Sequence, residues 1–219
     1  RMATLWTQRN KVIMLVLAAI TIGAVQLIYW KTYSGKWLYW SYEPDEELNL
    51  TKVFFYQCMF SYKKGWLIYT PFMALAILGF IPLYHKSRQL FINTLLFIFI
   101  AFYLVFSWKC WWYGGSFSMR AVVQYYALLV FPLAAMFEYA ARQRIVAVLV
   151  AAFSVFCIWL NIVMHLQANV YGTMECDNNN SKYYWAIFGK LNINPDVRKY
   201  IDTEEEIPDE LVNKLQPWY

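Results

Sequence analysis

Five apolar runs, each close to twenty residues long, determine what this sequence can fold into. They cover residues 12–30, 65–84, 90–108, 121–139 and 145–164, and no charged residue lies in the interior of any of them. A helix of about 20 residues crosses a hydrocarbon core of roughly 30 Å, and it satisfies its own backbone hydrogen bonds in lipid. The pattern predicts an all-α fold, a polytopic transmembrane helical bundle with five spanning helices.

The composition agrees with a membrane protein. Of the 219 residues, 60% are hydrophobic and 15% are charged, whereas soluble domains have about 45–50% and 25%. This excludes a disordered chain and argues against a soluble enzyme. We expect the transmembrane bundle to cover residues 1–165 and a small extracytoplasmic tail to cover residues 166–219. The 4 cysteines have no spacing typical of zinc, so we predict no metal site.

The distribution of charge predicts the orientation of the helices. With the N-terminus in the cytoplasm, the inner segments hold seven basic residues and one acidic residue, and the outer segments hold the other 12 basic and 13 acidic residues. This is the positive-inside pattern. We therefore expect a multi-pass protein of the cell inner membrane with a cytoplasmic N-terminus and a periplasmic tail. The net charge of +5 reflects topology, so it does not indicate a nucleic-acid partner.

Three segments face the outside in this topology: two loops at residues 31–64 and 109–120, and the tail. The two loops carry a net charge of +3 and many aromatic residues, while the tail carries −4. Lysine and arginine side chains form charge-assisted hydrogen bonds with phosphate oxygens. A basic, aromatic surface at the membrane therefore suits a phosphate attached to a lipid, and ordinary contact with headgroups is the alternative interpretation.

Residues 111–120, WWYGGSFSMR, are the densest motif of the chain. The paired Gly114 and Gly115 allow a close approach of the backbone to a ligand. The Trp112 indole can stack on a sugar, and Arg120 stands where the fourth helix begins, a position that favours an anion. An aromatic belt followed by a glycine turn would give a similar sequence, and this alternative stays open.

Two motifs together resemble a known family. FSYKKGWLIYTP at residues 60–71 and WWYGGSF-x-x-R at residues 111–120 are similar to stretches of bacterial, Bacteroidetes-type GT-C integral-membrane glycosyltransferases. The chain looks most like the mannosyltransferase-like group that depends on polyprenyl- or dolichyl-phosphate sugars. The resemblance covers about residues 29–140. The departure from the family pattern is Ser118, where glycine is usual, and it weakens the expectation of a very tight turn.

The resemblance implies an enzyme that moves a sugar from a polyprenyl-phosphate carrier to an extracytoplasmic acceptor, with no cofactor assigned beyond this donor. It matches the C-terminal, donor-binding half of such enzymes, so the catalytic aspartate is expected upstream, in a missing N-terminal half or a partner subunit. The resemblance carries over to Lys64, Trp112 and Arg120 as candidate contacts of the donor phosphate and sugar. Gly114 and Gly115, from the glycine pair, and Glu46, for an acceptor or metal, complete the candidate substrate-binding residues. Glu46 lies in an acidic run at residues 43–47, for which a solvated loop is the alternative. The alternative function is a non-catalytic membrane subunit or lipid-binding scaffold.

Overall fold

The computed structural model describes residues 9–39, 47–175 and 177–201, and the regular secondary structure of these residues is helical. No β-strand forms among them; their one extended pairing is an isolated antiparallel bridge between Leu48 and Trp108. The predicted all-α class is confirmed. The chain divides into two compact units, Arg1–Pro44 and Asp45–Tyr219.

The first unit contains one long helix, α1 (Arg9–Ser34), which includes the predicted run at residues 12–30. Its 26 residues extend about 39 Å at 1.5 Å per residue. The hydroxyls of Thr21 and Thr32 donate to carbonyls one turn earlier, at 2.8 and 2.9 Å. These two hydroxyls are therefore satisfied within the helix itself, which suits a lipid environment.

The second unit contains seven α-helices and two 3-10 helices among its described residues. In chain order the α-helices are α2 (Phe55–Phe60), α3 (Trp66–Tyr69), α4 (Met73–Lys86), α5 (Arg88–Phe106), α6 (Tyr126–Ala141), α7 (Arg144–Asn169) and α8 (Ser181–Ile187). The 3-10 helices are Arg120–Tyr125, which leads directly into α6, and Pro195–Tyr200. The short α2 lies within the loop 31–64.

Within the part of the chain that the structure describes, four helices are long and apolar enough to cross a membrane. They are α1, α5, α7 and the continuous segment Arg120–Ala141. Their large aliphatic and aromatic side chains are mostly exposed, as expected for surfaces that contact lipid. The chain is therefore a multi-pass membrane protein by the length and composition of its helices.

The second predicted run, residues 65–84, is divided in the structure. Helix α3 ends at Tyr69 and α4 begins at Met73, with Thr70, Pro71 and Phe72 between them. Proline has no N–H to donate, and it disfavours the helical region for the preceding residue, which here has φ −132° and ψ 60°. The 14 residues of α4 extend only about 21 Å, so this run does not give the single continuous spanning helix predicted from the sequence.

Helices α4 and α6 pack closely. A Cβ placed on Gly79 would lie 2.6 Å from the carbonyl carbon of Pro132, so the two backbones approach closely only because Gly79 has no side chain. At their carboxyl ends the Glu138 carboxylate pairs with Lys86 and, at 2.7 Å, with Arg142. A small residue and an ion pair therefore join the two helices.

The described part of the tail folds onto α7. Helix α7 continues past the predicted boundary at residue 165 as far as Asn169. The buried side chain of Gln167 donates from Nε2 to the carbonyls of Ile187, at 2.7 Å, and Lys190, at 2.8 Å. These two bonds attach the end of α8 to the last turns of α7.

Candidate functional site

The site is built around a buried lysine. The Lys64 side chain is 0% exposed, and its Nζ donates to the carbonyls of Gly114, at 2.8 Å, and Ser116. The same ammonium lies 3.1 Å from Oδ1 of Asp177. A buried charge is costly unless it is paired, and a lysine ammonium has three donors. Lys64 therefore connects three segments: the turn before α3, residues 111–120, which we call the glycine loop, and the tail.

A tight turn after α2 positions Lys64. The Gly65 N–H donates to the Ser61 carbonyl at 2.7 Å, and the Ser61 hydroxyl accepts from the N–H of Lys63 at 3.0 Å. A Cβ on Gly65 would lie 2.6 Å from the backbone nitrogen of Ser61. The glycine of the KKGW sequence is therefore needed for this close approach, and α3 begins immediately after it.

The glycine loop contains three left-handed residues. They are Tyr113, Gly114 and Ser118, with φ of 53°, 63° and 57°. The Tyr113 hydroxyl donates to the Val105 carbonyl at 2.6 Å and ties the loop to the end of α5. Ser118 adopts the left-handed conformation that glycine usually supplies, although serine stands here where the motif that the loop resembles has glycine.

The Trp112 indole has the ammonium of a neighbouring lysine over its ring. The ammonium of Lys63 lies 4.7 Å from the centroid of the Trp112 ring, a cation–π distance. The neighbouring Trp111 is buried and stands at 87° to Trp112, with 6.0 Å between ring centroids. Trp112 therefore has a fixed environment, and Lys63, which was not among the sequence candidates, belongs to it.

Arg120 begins the 3-10 helix that continues into α6, as the sequence suggested for this position. Its backbone N–H donates to the Ser118 carbonyl at 3.0 Å, while its side chain is exposed. Within the described residues its guanidinium forms no ion pair. Its fixed positive charge is therefore accessible at the end of the glycine loop.

Gly114 and Gly115 are both exposed, and a Cβ on Gly115 would be 3.4 Å from Oδ2 of Asp177. The Asp177 carboxylate is 47% exposed, so one of its oxygens faces Lys64 while the group as a whole stays in contact with solvent. Asp177 was not a sequence candidate either. It comes from an acidic tail, and no spacing in the sequence relates it to Lys64.

Tyrosines and an asparagine fix the tail beside this site. The Tyr69 hydroxyl donates to the Tyr62 carbonyl and accepts from Nδ2 of Asn179, and the Tyr183 hydroxyl donates to the Thr173 carbonyl at 2.6 Å. Burial raises the pKa of Tyr184 above its ordinary value, and burial also raises the pKa of Tyr183. Both phenols are therefore neutral at physiological pH; Tyr183 serves in hydrogen bonding, and Tyr184 packs against neighbouring aromatic rings.

Glu46, a candidate of the sequence analysis, and Cys176, one of the four cysteines of the chain, lie outside the described residues. Among the residues that are described, no group of three or more His, Cys, Asp or Glu side chains is arranged to hold a metal ion. Burial raises the pKa of the Cys58 thiol, which is therefore protonated and inert at neutral pH.

Comparison with protein-family models, with curated proteins and with solved structures gives no match to this chain. The similarity to GT-C glycosyltransferases is a resemblance of two motifs. The structure adds that these motifs are in contact, since Lys64 of the first bonds to Gly114 and Ser116 of the second, about fifty residues later in the chain.

Proposed function

We propose that this chain is the lipid-donor-binding part of an integral-membrane glycosyltransferase, which moves a sugar from a polyprenyl-phosphate carrier to an extracytoplasmic acceptor. The observation that supports the proposal is the contact of the two motifs through Lys64. This contact brings the Lys63–Trp112 pair and the exposed glycines of the loop into one region at the ends of the helices. A cation, an aromatic face and accessible backbone are what a phosphorylated sugar requires.

The proposed roles of Lys64 and Arg120 depend on whether the charge of each side chain is already paired within the protein. Lys64 is enclosed and neutralised by Asp177, so it acts as a positioning residue for the glycine loop. Arg120 is accessible and contacts the donor phosphate, and Trp112 stacks on the sugar. During transfer the bond between the anomeric carbon and the phosphate oxygen breaks as the bond to the acceptor oxygen forms. The charge left on the phosphate is stabilised by Arg120, and the acceptor proton passes to a carboxylate elsewhere in the enzyme.

The proposal includes the topology that this reaction needs. The segment from Trp66 to Lys86 contains 21 residues, enough for a fifth crossing if α3 and α4 span the membrane together. Five crossings give a cytoplasmic N-terminus and a periplasmic tail, in the cell inner membrane. Lys86 and Arg142, paired through Glu138, then lie on the cytoplasmic side, in agreement with the positive-inside rule.

A binding measurement tests the donor site directly. The protein is reconstituted in lipid nanodiscs, and its affinity for radiolabelled polyprenyl-phosphate mannose is measured. We expect Arg120→Ala to weaken binding at least tenfold and Arg120→Lys to retain part of it, because lysine keeps the charge and loses the two-pronged geometry. The matched control is Arg144→Ala, an exposed arginine at the first residue of α7, which should bind as wild type. Wild-type affinity in Arg120→Ala would contradict the assignment.

A second candidate is a non-catalytic subunit or lipid-binding scaffold. The contacts of Lys64 favour this second candidate. Its ammonium already contacts two carbonyls and a carboxylate, which is typical of a structural role. Competition with sugar-free polyprenyl phosphate separates the two. A transferase site should prefer the mannosylated lipid, and Trp112→Ala should abolish this preference. A scaffold should bind both lipids equally, with or without Trp112.

A further inference from the structure

The depth of Trp159 of α7 in the membrane indicates where α8, the helix of the tail, lies. Helix α7 extends about 39 Å over 26 residues, roughly 9 Å more than a hydrocarbon core of about 30 Å. Trp159 is ten residues before the end of α7, or about 15 Å along its axis. Even if the whole excess lies beyond the carboxyl end, Trp159 is about 6 Å inside the hydrocarbon core. A tilted helix places it deeper.

The end of α8 packs at this level. The Phe188 ring lies 6.1 Å from the Trp159 ring, and a Cβ on Gly189 would be 3.5 Å from Cη2 of Trp159. Helical side chains point toward the N-terminus of their helix, so the Trp159 indole is directed toward the membrane centre. Contact with it therefore requires α8 to descend to the boundary of the hydrocarbon region.

The outward side of α8 has the composition of an interfacial helix. Trp185 is 58% exposed, and its Nε1 donates to the Tyr62 hydroxyl at 3.2 Å. Lys182 and Lys190, which flank it, are exposed, and the Lys190 ammonium donates to the Ala186 carbonyl at 2.9 Å. A tryptophan with one polar group and flanking lysines suits the level of phospholipid headgroups, particularly anionic ones.

We propose that α8 is a membrane-interface helix that inserts Trp185 among the phospholipids of the leaflet in which α7 ends. The described part of the tail is then partly embedded in that leaflet, in contrast to a tail that is surrounded by water. Its partner is the lipid surface itself. This inference depends on α7 crossing the membrane and is independent of the donor that the candidate site takes.

Photo-crosslinking tests the position of α8. The protein carries benzoylphenylalanine in place of Trp185 or, as a matched control, in place of Tyr171. Tyr171 is an aromatic residue of similar exposure, 46%, just beyond the carboxyl end of α7. Both variants are irradiated in nanodiscs of phosphatidylethanolamine and phosphatidylglycerol, and lipid adducts are quantified by mass spectrometry. We expect at least five times more adduct at position 185.

The proposal would be overturned by equal yields of lipid adduct at positions 185 and 171. It would also be overturned if the probe at position 185 crosslinked to protein and not to lipid. Size-exclusion elution and thermal unfolding establish that each variant is folded. If the variant at Trp185 does not fold, the probe is placed at Lys182, an exposed residue one helical turn earlier. The same five-fold excess over position 171 is expected there, and its absence contradicts the interfacial location. Normal donor binding with no lipid adduct would overturn this inference alone.

Discussion

At the scale of single residues, the burial of Lys64 has a measurable consequence. We expect Lys64→Met to lower the free energy of unfolding by about 2–4 kcal/mol, because it leaves two carbonyls without their donor and Asp177 without its cation. The half-exposed Asp177 can be solvated, which keeps the loss below that of a wholly buried pair. Thermal unfolding in detergent measures it.

The neighbouring lysine supplies the control for this experiment. Lys63→Met removes a partly exposed ammonium from the Trp112 ring, and such contacts contribute about 0.5–1 kcal/mol. Because this ammonium is partly exposed, Lys63→Met should destabilise the protein clearly less than Lys64→Met does. Equal destabilisation by Lys63→Met and Lys64→Met would contradict the positioning role assigned to Lys64.

Ser118 gives a prediction of the opposite sign. A non-glycine residue in the left-handed region costs about 1–2 kcal/mol, and Ser118 has a φ of 57°. Part of this strain is released in Ser118→Gly, although glycine also gains freedom in the unfolded chain. We expect a net stabilisation of about 0.5–1 kcal/mol, measured by thermal unfolding.

The control for Ser118→Gly is a serine of the same loop. Ser116 has no left-handed backbone, so Ser116→Gly should gain nothing and lose about 0.5–1 kcal/mol. The prediction fails if Ser118→Gly destabilises the protein as much as Ser116→Gly does.

The sequence was sufficient for part of the site only. The chemistry of Gly114, Gly115 and Arg120 is visible locally, because a glycine pair and an arginine before an apolar run have meaning in themselves. The pairing of Lys64 with Asp177 depends on how the tail folds over the helices, and neither residue type nor spacing contains that information. Hydropathy also classifies every lysine as exposed, so the burial of Lys64 could not be predicted.

At the scale of elements, hydropathy located the ends of α1, α5, α6 and α7 to within five residues, since long apolar runs leave little freedom in lipid. Hydropathy alone does not mark the break at Pro71, because the run is apolar on both sides of Thr70 and Pro71; the proline itself is the residue that indicates a kink or a helix start there. Hydropathy also missed that the fourth run begins as a 3-10 helix, Arg120–Tyr125. Backbone hydrogen bonding determines both the break at Pro71 and the 3-10 helix, and the mean hydropathy of a segment carries no information about such bonding.

The α4–α6 contact gives a prediction at the same scale. Gly79→Ala places a methyl group against the backbone of Pro132, and neither backbone can move without separating the helices. We expect a loss of about 1–3 kcal/mol, the usual cost of overpacking. Thermal unfolding of the purified protein in detergent gives the difference.

The matched control is the same substitution in α1. Gly23 has no atom within 4 Å of a built Cβ, so Gly23→Ala should be neutral or raise helix stability by about 0.5–1 kcal/mol. Equal destabilisation in Gly79→Ala and Gly23→Ala would contradict the conclusion that the close approach of α4 and α6 requires glycine at position 79.

At the scale of the whole molecule, two clusters of charged side chains stand apart from each other among the described residues. Lys86, Glu138 and Arg142 are paired where α4 and α6 end. The Lys63–Trp112 pair, the glycine loop and Asp177 are held together by Lys64. Such a division suits a protein whose two ends meet different aqueous compartments, and the number of membrane crossings decides which compartment each end meets.

Cysteine accessibility decides between four crossings and five. Cysteines are introduced one at a time in place of Thr51, before α2, and Ser87, between α4 and α5, in a chain whose Cys110 and Cys176 are serine and whose buried Cys58 and Cys157 are retained. If α3 and α4 cross together, the two positions face opposite sides. In intact cells a membrane-impermeant maleimide should then label position 51 and leave position 87 unlabelled until the membrane is opened. Lys199→Cys in the tail should be labelled like position 51, because the tail is expected in the periplasm. Labelling of positions 51 and 87 from the same side would mean that α4 does not cross, and the donor site would lose the periplasmic location that the proposed reaction requires.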